Sequence, residues 1–244
     1  MSLLTHFANI LVLLCASSVA MAGPAYVSTA QDKQLFEAVG AGNLLQAKAL
    51  IAKGANASAK QKPWGLTPLL IAPDVSREMV KFLLDKKSDV NAADREGITV
   101  LMRAVYTGNA SIVNDVLKFK PNLDAKGTWN NTALTYAVVQ GNPVMVKALV
   151  AAGSNINTVR ADGMTPLDIG KRRLMQASAL ADTPVSGSQV ETQDHHHDKM
   201  RHDLPKGVLV QDARAVLDIL EQAGAKEGDE ASKNTEVLLH RHRG

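Results

Sequence analysis

Cysteine is almost missing from this 244-residue chain, with Cys15 the only one. It lies in the first apolar stretch, so nothing after it can form a disulfide or offer a thiol nucleophile. Aromatic residues are scarce at 4%, including two tryptophans. A core must therefore come from the small and branched aliphatics that dominate a 45% hydrophobic composition. An excess of one charge is missing too, because 27 Lys and Arg stand against 24 Asp and Glu for a net +3. That balance argues against nucleic acid, where clustered basic residues and a domain pI above about 9 are expected. Histidine is absent between His6 and His195, which excludes the common triads and dyads from most of the chain. No P-loop or dinucleotide fingerprint is found, so an enzyme is not expected. After the first two dozen residues no run approaches the ~20 apolar residues of a membrane-spanning helix.

What is present is periodic. Thr67-Pro68-Leu69, Thr99-Val100-Leu101, Thr132-Ala133-Leu134 and Thr165-Pro166-Leu167 are separated by steps of 32, 33 and 33 residues. Gly42-Asn43, Gly108-Asn109 and Gly141-Asn142 keep the same phase. A threonine before an apolar run, with proline directly after it, reads as an N-cap followed by the first helical position. The glycines suit a left-handed helix end, and each following asparagine the cap of a second helix. Amphipathic second helices are read at 45–51, 79–84, 112–117 and 145–150. A T-P-L motif at a period of about 33 resembles the ankyrin-repeat family. The resemblance implies an all-α solenoid of about five helix-turn-helix repeats with finger loops.

On that frame the repeats fall at about 32–65, 66–97, 98–130, 131–163 and 164–228, after a linker at 23–31 and before a charged tail at 229–244. The first copy has Lys33 in place of the motif threonine, as a capping repeat often departs from pattern. The second is one residue short and carries Pro73, so its first helix should end early. The fifth is interrupted. From Gly153 to the equivalent Gly224 is 71 residues where 33 are expected, an excess of 38. The polar stretch from about Leu180 to Gly207 reads as a mobile insert, because it has too few apolar residues to fix itself.

Both tryptophans, Trp64 and Trp129, fall at one phase of the repeat, in the finger loop. The resemblance implies that this loop and the end of the first helix line a concave face where partners dock. Carried over by position, that face comprises Trp64, Leu66, Arg95, Glu96, Ile98, Tyr106, Thr107, Thr128, Trp129, Asn131, Val139, Gln140, Asp162, Met164, Arg172 and Arg173. A protein-binding scaffold that stabilises, inhibits or localises its partner is the expected function, since Trp leads the residues that anchor interfaces. A second possibility rests on the insert. Asp194-His195-His196-His197-Asp198 followed by His202-Asp203 carries ligand types that borderline divalent metals accept, which points to metal binding or sensing.

The start of the chain reads as a cleaved export signal over residues 1–22. An apolar stretch from Ile10 to Leu14 leads to Ala20-Met21-Ala22, the A-x-A pattern of a signal-peptidase site. Three N-x-S/T triplets at Asn56, Asn109 and Asn130 sit on repeat landmarks, where glycans would crowd a stack. A periplasmic address fits best, with secretion beyond it as the alternative. N-terminal sequencing of the native protein should therefore begin at Gly23, and an intact Met1 on a cytosolic protein would refute the export reading.

Overall fold

The computed structural model describes residues 29–181 and 210–228, and among them the architecture is a row of helix pairs with no β-strand. The pairs are α1 (Ala30–Gly40) with α2 (Leu44–Ala52), then α3 (Pro68–Ile71) with α4 (Arg77–Asp85). They continue as α5 (Val100–Tyr106) with α6 (Ala110–Leu117), α7 (Ala133–Gln140) with α8 (Pro143–Ala151), and α9 (Pro166–Ala181) with α10 (Val210–Gln222). The first helices pack in one layer and the second helices in another.

Local chemistry sets each start. The hydroxyl of Thr67 accepts the Leu70 N–H at 3.2 Å, and Thr99, Thr132 and Thr165 do the same for Met102, Thr135 and Asp168. Each satisfies one of the donors a helix start leaves unpaired. At Thr132 the bond is reciprocal, since Thr135 accepts the Thr132 N–H at 2.7 Å. Asn43, Asn109 and Asn142 cap the second helices in the same way.

Packing then joins the pairs. Leu69, Leu101, Leu134 and Leu167, the third letter of each motif, are buried, as are Leu50, Leu83, Val116 and Leu149 on the second helices. All eight belong to one continuous apolar core. Side-chain to backbone bonds stitch the turns between neighbours. Asn91 accepts the Asn122 N–H at 2.7 Å, Asp124 the Asn155 N–H at 2.9 Å, and Asn157 the Lys226 N–H at 2.7 Å.

Two boundaries differ from the sequence reading. Thr29, not a residue at the Lys33 position, caps the first helix, accepting the Asp32 N–H at 3.0 Å. Ala30 and Gln31 are therefore helical rather than linker. The fifth repeat's first helix spans 16 residues and includes Leu180, so an insert cannot begin there. The cause is local, because Leu174 stands where Gly141 ends the preceding first helix and good helix formers follow it. Residues 1–28, 182–209 and 229–244, which hold the export signal, most of the linker, the rest of the insert and the tail, lie outside the described residues.

A left-handed residue follows each second helix within three positions of its end. Gly54 and Gly153 take φ of 97°, whereas lysine fills the position at Lys87 (61°) and Lys120 (51°). A side chain there costs roughly 1–2 kcal/mol, partly offset by the greater chain entropy glycine loses on folding. Lys120→Gly should thus raise stability by about 0.5–1 kcal/mol, read as a higher urea midpoint at unchanged slope. A lower midpoint would show that the lysine side chain contributes more than its backbone costs.

Candidate functional site

Short hairpins build the fingers between repeats. Gln61 donates to the Leu66 carbonyl at 2.8 Å, and Asp94 to Ile98, Gly127 to Asn131 and Arg160 to Met164 at 2.9–3.1 Å. Main chain also joins one finger to the next, with Arg95 N–H on the Trp64 carbonyl at 2.8 Å and Ala161 N–H on the Trp129 carbonyl at 3.0 Å. Both tryptophans are thus held by their backbones while their side chains stay in solvent, 45% and 49% exposed. Trp129 itself is left-handed at φ 61°, followed by Asn130 at 58°. A bulky residue in that region is strained by about 1–2 kcal/mol and persists only where its surroundings over-determine it.

Beside Trp64 lies a groove of about 720 Å³ between the second and third repeats, walled by Ile71, Pro73, Val75, Arg95 and Tyr106. The missing residue of the second repeat accompanies it. Helix α3 is only four residues long and passes into a 3₁₀ turn at Ala72–Asp74. That turn brings Asp74 and Val75 to the groove, at the helix-end position which the shortened sequence left unassigned. Across the groove Arg103 reaches Asp74 at 3.4 Å and Asp94 at 3.2 Å. The arginine, the indole and the phenol ring are residue types enriched at protein interfaces, and the two carboxylates fix the guanidinium among them. Asp74 and Arg103 were missed by position-by-position reasoning; Pro73 and the one-residue deletion were the available signals.

The groove gathers Trp64, Leu66, Arg95, Glu96, Ile98, Tyr106 and Thr107 from the predicted set, Ile98 with most of its side chain in the core. Thr128, Trp129, Val139, Gln140, Asp162 and Arg172 lie further along the stack. Three of these make internal bonds: Gln140 Nε2 donates to the Tyr106 carbonyl at 2.8 Å, Thr128 Oγ1 to Glu96 Oε2 at 3.4 Å, and Asp162 pairs with Arg160 at 3.2 Å. Three others are corrected, because Asn131, Met164 and Arg173 are buried. Ile98 and Met164 close their hairpins through backbone carbonyls and send their side chains into the core. Asn131 closes the third hairpin in the same fashion, and Arg173, 4% exposed, is packed inside the fifth repeat. Burial pushes the Arg173 guanidinium down to about 10 and the Tyr136 phenol up to about 12. His195, His196, His197 and His202 lie outside the described residues. Among the described residues no group of His, Cys, Asp and Glu is placed to hold a metal.

Arg77 forms the floor of the groove on the side of the second helices and is fixed from below. Its Nε donates to Asp115 Oδ2 at 2.6 Å, while Lys118 Nζ donates to Oδ1 at 2.8 Å. The bond from Arg77, and then that from Lys118, holds the Asp115 carboxyl at about 2, against burial acting in the opposite sense.

Comparison with known proteins agrees with the geometry. A model described as ankyrin repeats in three copies matches residues 35–127, and a single ankyrin-repeat model matches 129–160. These are the family models matched. The chain is 30% identical over 131 residues to the B-cell lymphoma 3 protein homolog of Mus musculus, covering 52% of this chain and 29% of that protein. It is 32% identical over 82 residues to palmitoyltransferase AKR1 of Lachancea kluyveri, covering 34% of this chain and 11% of that protein. Palmitoyltransferase ZDHHC13 of Mus musculus is 38% identical over 81 residues, 32% of this chain and 13% of that protein. The chain therefore spans less than a third of the length of each of these curated relatives, and the likeness to the transferases lies in their ankyrin region only.

The Asp115 pair makes acid sensitivity predictable. A carboxyl lowered from 3.8 to about 2 on folding contributes stability that is fully present above about pH 4 and lost as pH falls through about 2. With Arg77 partly in solvent, the contribution is about 1–2 kcal/mol. Urea midpoints measured down the acid limb should show this loss, and Asp115→Asn should lower stability at neutral pH while flattening that part of the limb. An unaltered acid limb in the variant would remove Asp115 from the account.

Proposed function

The chain belongs to the ankyrin-repeat family, and from that premise we propose that it is a non-enzymatic scaffold that grips a partner protein along its finger side. The reading is carried by one observation: an exposed tryptophan lines the same groove as an Asp74–Arg103–Asp94 ion-pair network. Such a site offers apolar area for an anchor side chain and fixed charges that set the partner's orientation. Trp129, two repeats away from Trp64, supplies a second anchor. Because the fingers are bonded to one another through main chain, both rings are presented by a stiff frame, and little freedom is lost on binding.

Holding a folded partner is itself a function. Binding only the native state stabilises it by about 2.7 kcal/mol when free scaffold is a hundredfold above the dissociation constant. The same grip inhibits an enzyme if it covers the active site, or localises it if the scaffold is itself anchored. We place the protein in the periplasm, a reading supported by the apolar leader, the Ala20-Met21-Ala22 site and the lack of any cysteine after Cys15. The transferase activity in two relatives' names is not carried to this chain.

Capture from an extract of the native source, with the wild type and with Trp64→Ala and Trp129→Ala variants as bait, tests the proposal. The wild type should retain a stoichiometric protein. Each variant should bind it about thirtyfold more weakly, the roughly 2 kcal/mol of an anchor residue, while melting close to the wild type. Acrylamide should quench the tryptophan emission of the free protein readily and less so in the complex. Equal retention by wild type and both variants would overturn the proposal.

A further inference from the structure

The second helices carry a charge pattern that the near-neutral composition conceals. Lys48, Lys81 and Lys147 are each the fifth residue of their helices, α2, α4 and α8, and all three are exposed. The residues that follow or cap the same layer of helices add Lys53, Lys86 and Lys118. Exposed carboxylates on the layer from α2 to α8 are Glu78 and Asp85, while Asp115 is buried beneath Arg77 and Lys118. Among the described residues, Lys48, Lys81 and Lys147 take part in no ion pair. Lys48 and Lys86 come from adjacent repeats yet lie 5.8 and 5.9 Å from the Phe82 ring, so the face runs on from α2 to α4, and packing of α4 on α6 and α6 on α8 carries the same layer further.

Apolar side chains share it at the same phase. Leu45 is 81% exposed and Val144 61% exposed, each three residues before a lysine of the row. Residues three apart are neighbours on a helix surface. Single exposed aliphatics are ordinary, but these two, on α2 and α8, stand in register with the cations, whereas α4 has Glu78 at that position.

We propose that the face formed by α2, α4, α6 and α8 docks on an anionic lipid bilayer. Three features favour lipid over an acidic protein. The cations are mainly lysines, which are depleted at protein interfaces, whereas arginine and aromatics are enriched there. They are spread over four helices rather than gathered in a recess, which fits a diffuse negative surface better than one carboxylate or phosphate. Leucine and valine beside lysines whose stems can lie along the interface match the composition of surface-bound amphipathic helices. Docking this way leaves the finger side, with Trp64 and Trp129, turned to a partner in solution.

The test uses the full chain and vesicles of phosphatidylcholine with and without about one-third phosphatidylglycerol, read by co-sedimentation. The wild type should partition onto the anionic vesicles, and added salt should release it as screening shortens the reach of each charge. At about fivefold per lysine, Lys48→Gln/Lys81→Gln/Lys147→Gln should weaken partitioning about a hundredfold. Leu45→Ser/Val144→Ser should also weaken it, with the remaining binding more sensitive to salt. All five side chains are in solvent, so circular dichroism should show folding unchanged. Should the triple variant fail to fold, Lys147→Gln alone should still cost about fivefold. Partner capture by the lysine variants should match the wild type, which separates this face from the groove. Equal partitioning onto both vesicle types, equal partitioning of wild type and triple variant, or retention on poly-glutamate with none on vesicles would each overturn the proposal, the last in favour of an acidic protein.

Discussion

The leucine of each T-P-L phrase, at positions 69, 101, 134 and 167, is almost wholly removed from water. A single pair of short helices has no interior in which to place such a residue, so a neighbouring pair must cover it. Every repeat is therefore stable only as part of the row, and the two ends are where the chain has to improvise. At the C-terminal end the closure is a short segment that folds back. Gly228 donates to Asp168 Oδ2 at 2.9 Å, and that same oxygen accepts from Thr165. Only glycine fits there, since a Cβ at Gly228 would meet the Gly163 carbonyl at 2.5 Å.

Regular stacking also gives irregular positions their meaning. A repeat that loses one residue cannot lengthen its neighbours, so the loss appears locally, as a first helix cut to four residues and completed by a 3₁₀ turn. The groove opens beside it. The finger that carries Trp129 departs in another way, using two left-handed residues with side chains where other fingers use a single glycine. Both departures lie next to the two exposed indoles, which is where strain and irregularity are expected if they serve recognition.

Two layers of helices give the molecule two different surfaces. The finger side holds its charges in internal pairs, such as Arg103 with Asp74 and Asp94, and Arg160 with Asp162 at 3.2 Å. Arg103 and Arg160 are thereby held in place. The layer of second helices carries lysines in solvent, several of them in register with the repeat. A net charge of +3 describes neither surface.

Much of the fold was legible in the sequence because its determinants are local. A threonine or asparagine cap reaches only three residues ahead, and a left-handed helix end concerns one residue, so Thr67, Asn109 and Gly141 announce their roles without reference to distant parts of the chain. The phase of Trp64 and Trp129 was legible for the same reason, as repetition converts position into geometry. Position along the chain does not decide which way a hairpin side chain turns, and so Asn131, Met164 and Arg173 passed for surface until packing placed them inside. Tertiary structure alone decided that Asp74 and Asp94, 20 residues apart in sequence, share one arginine. It decided equally that lysines from separate repeats form one face. Ion pairs and charged surfaces are made by side chains from different turns of the stack, and their spacing is set by how the pairs pack rather than by any single stretch of sequence.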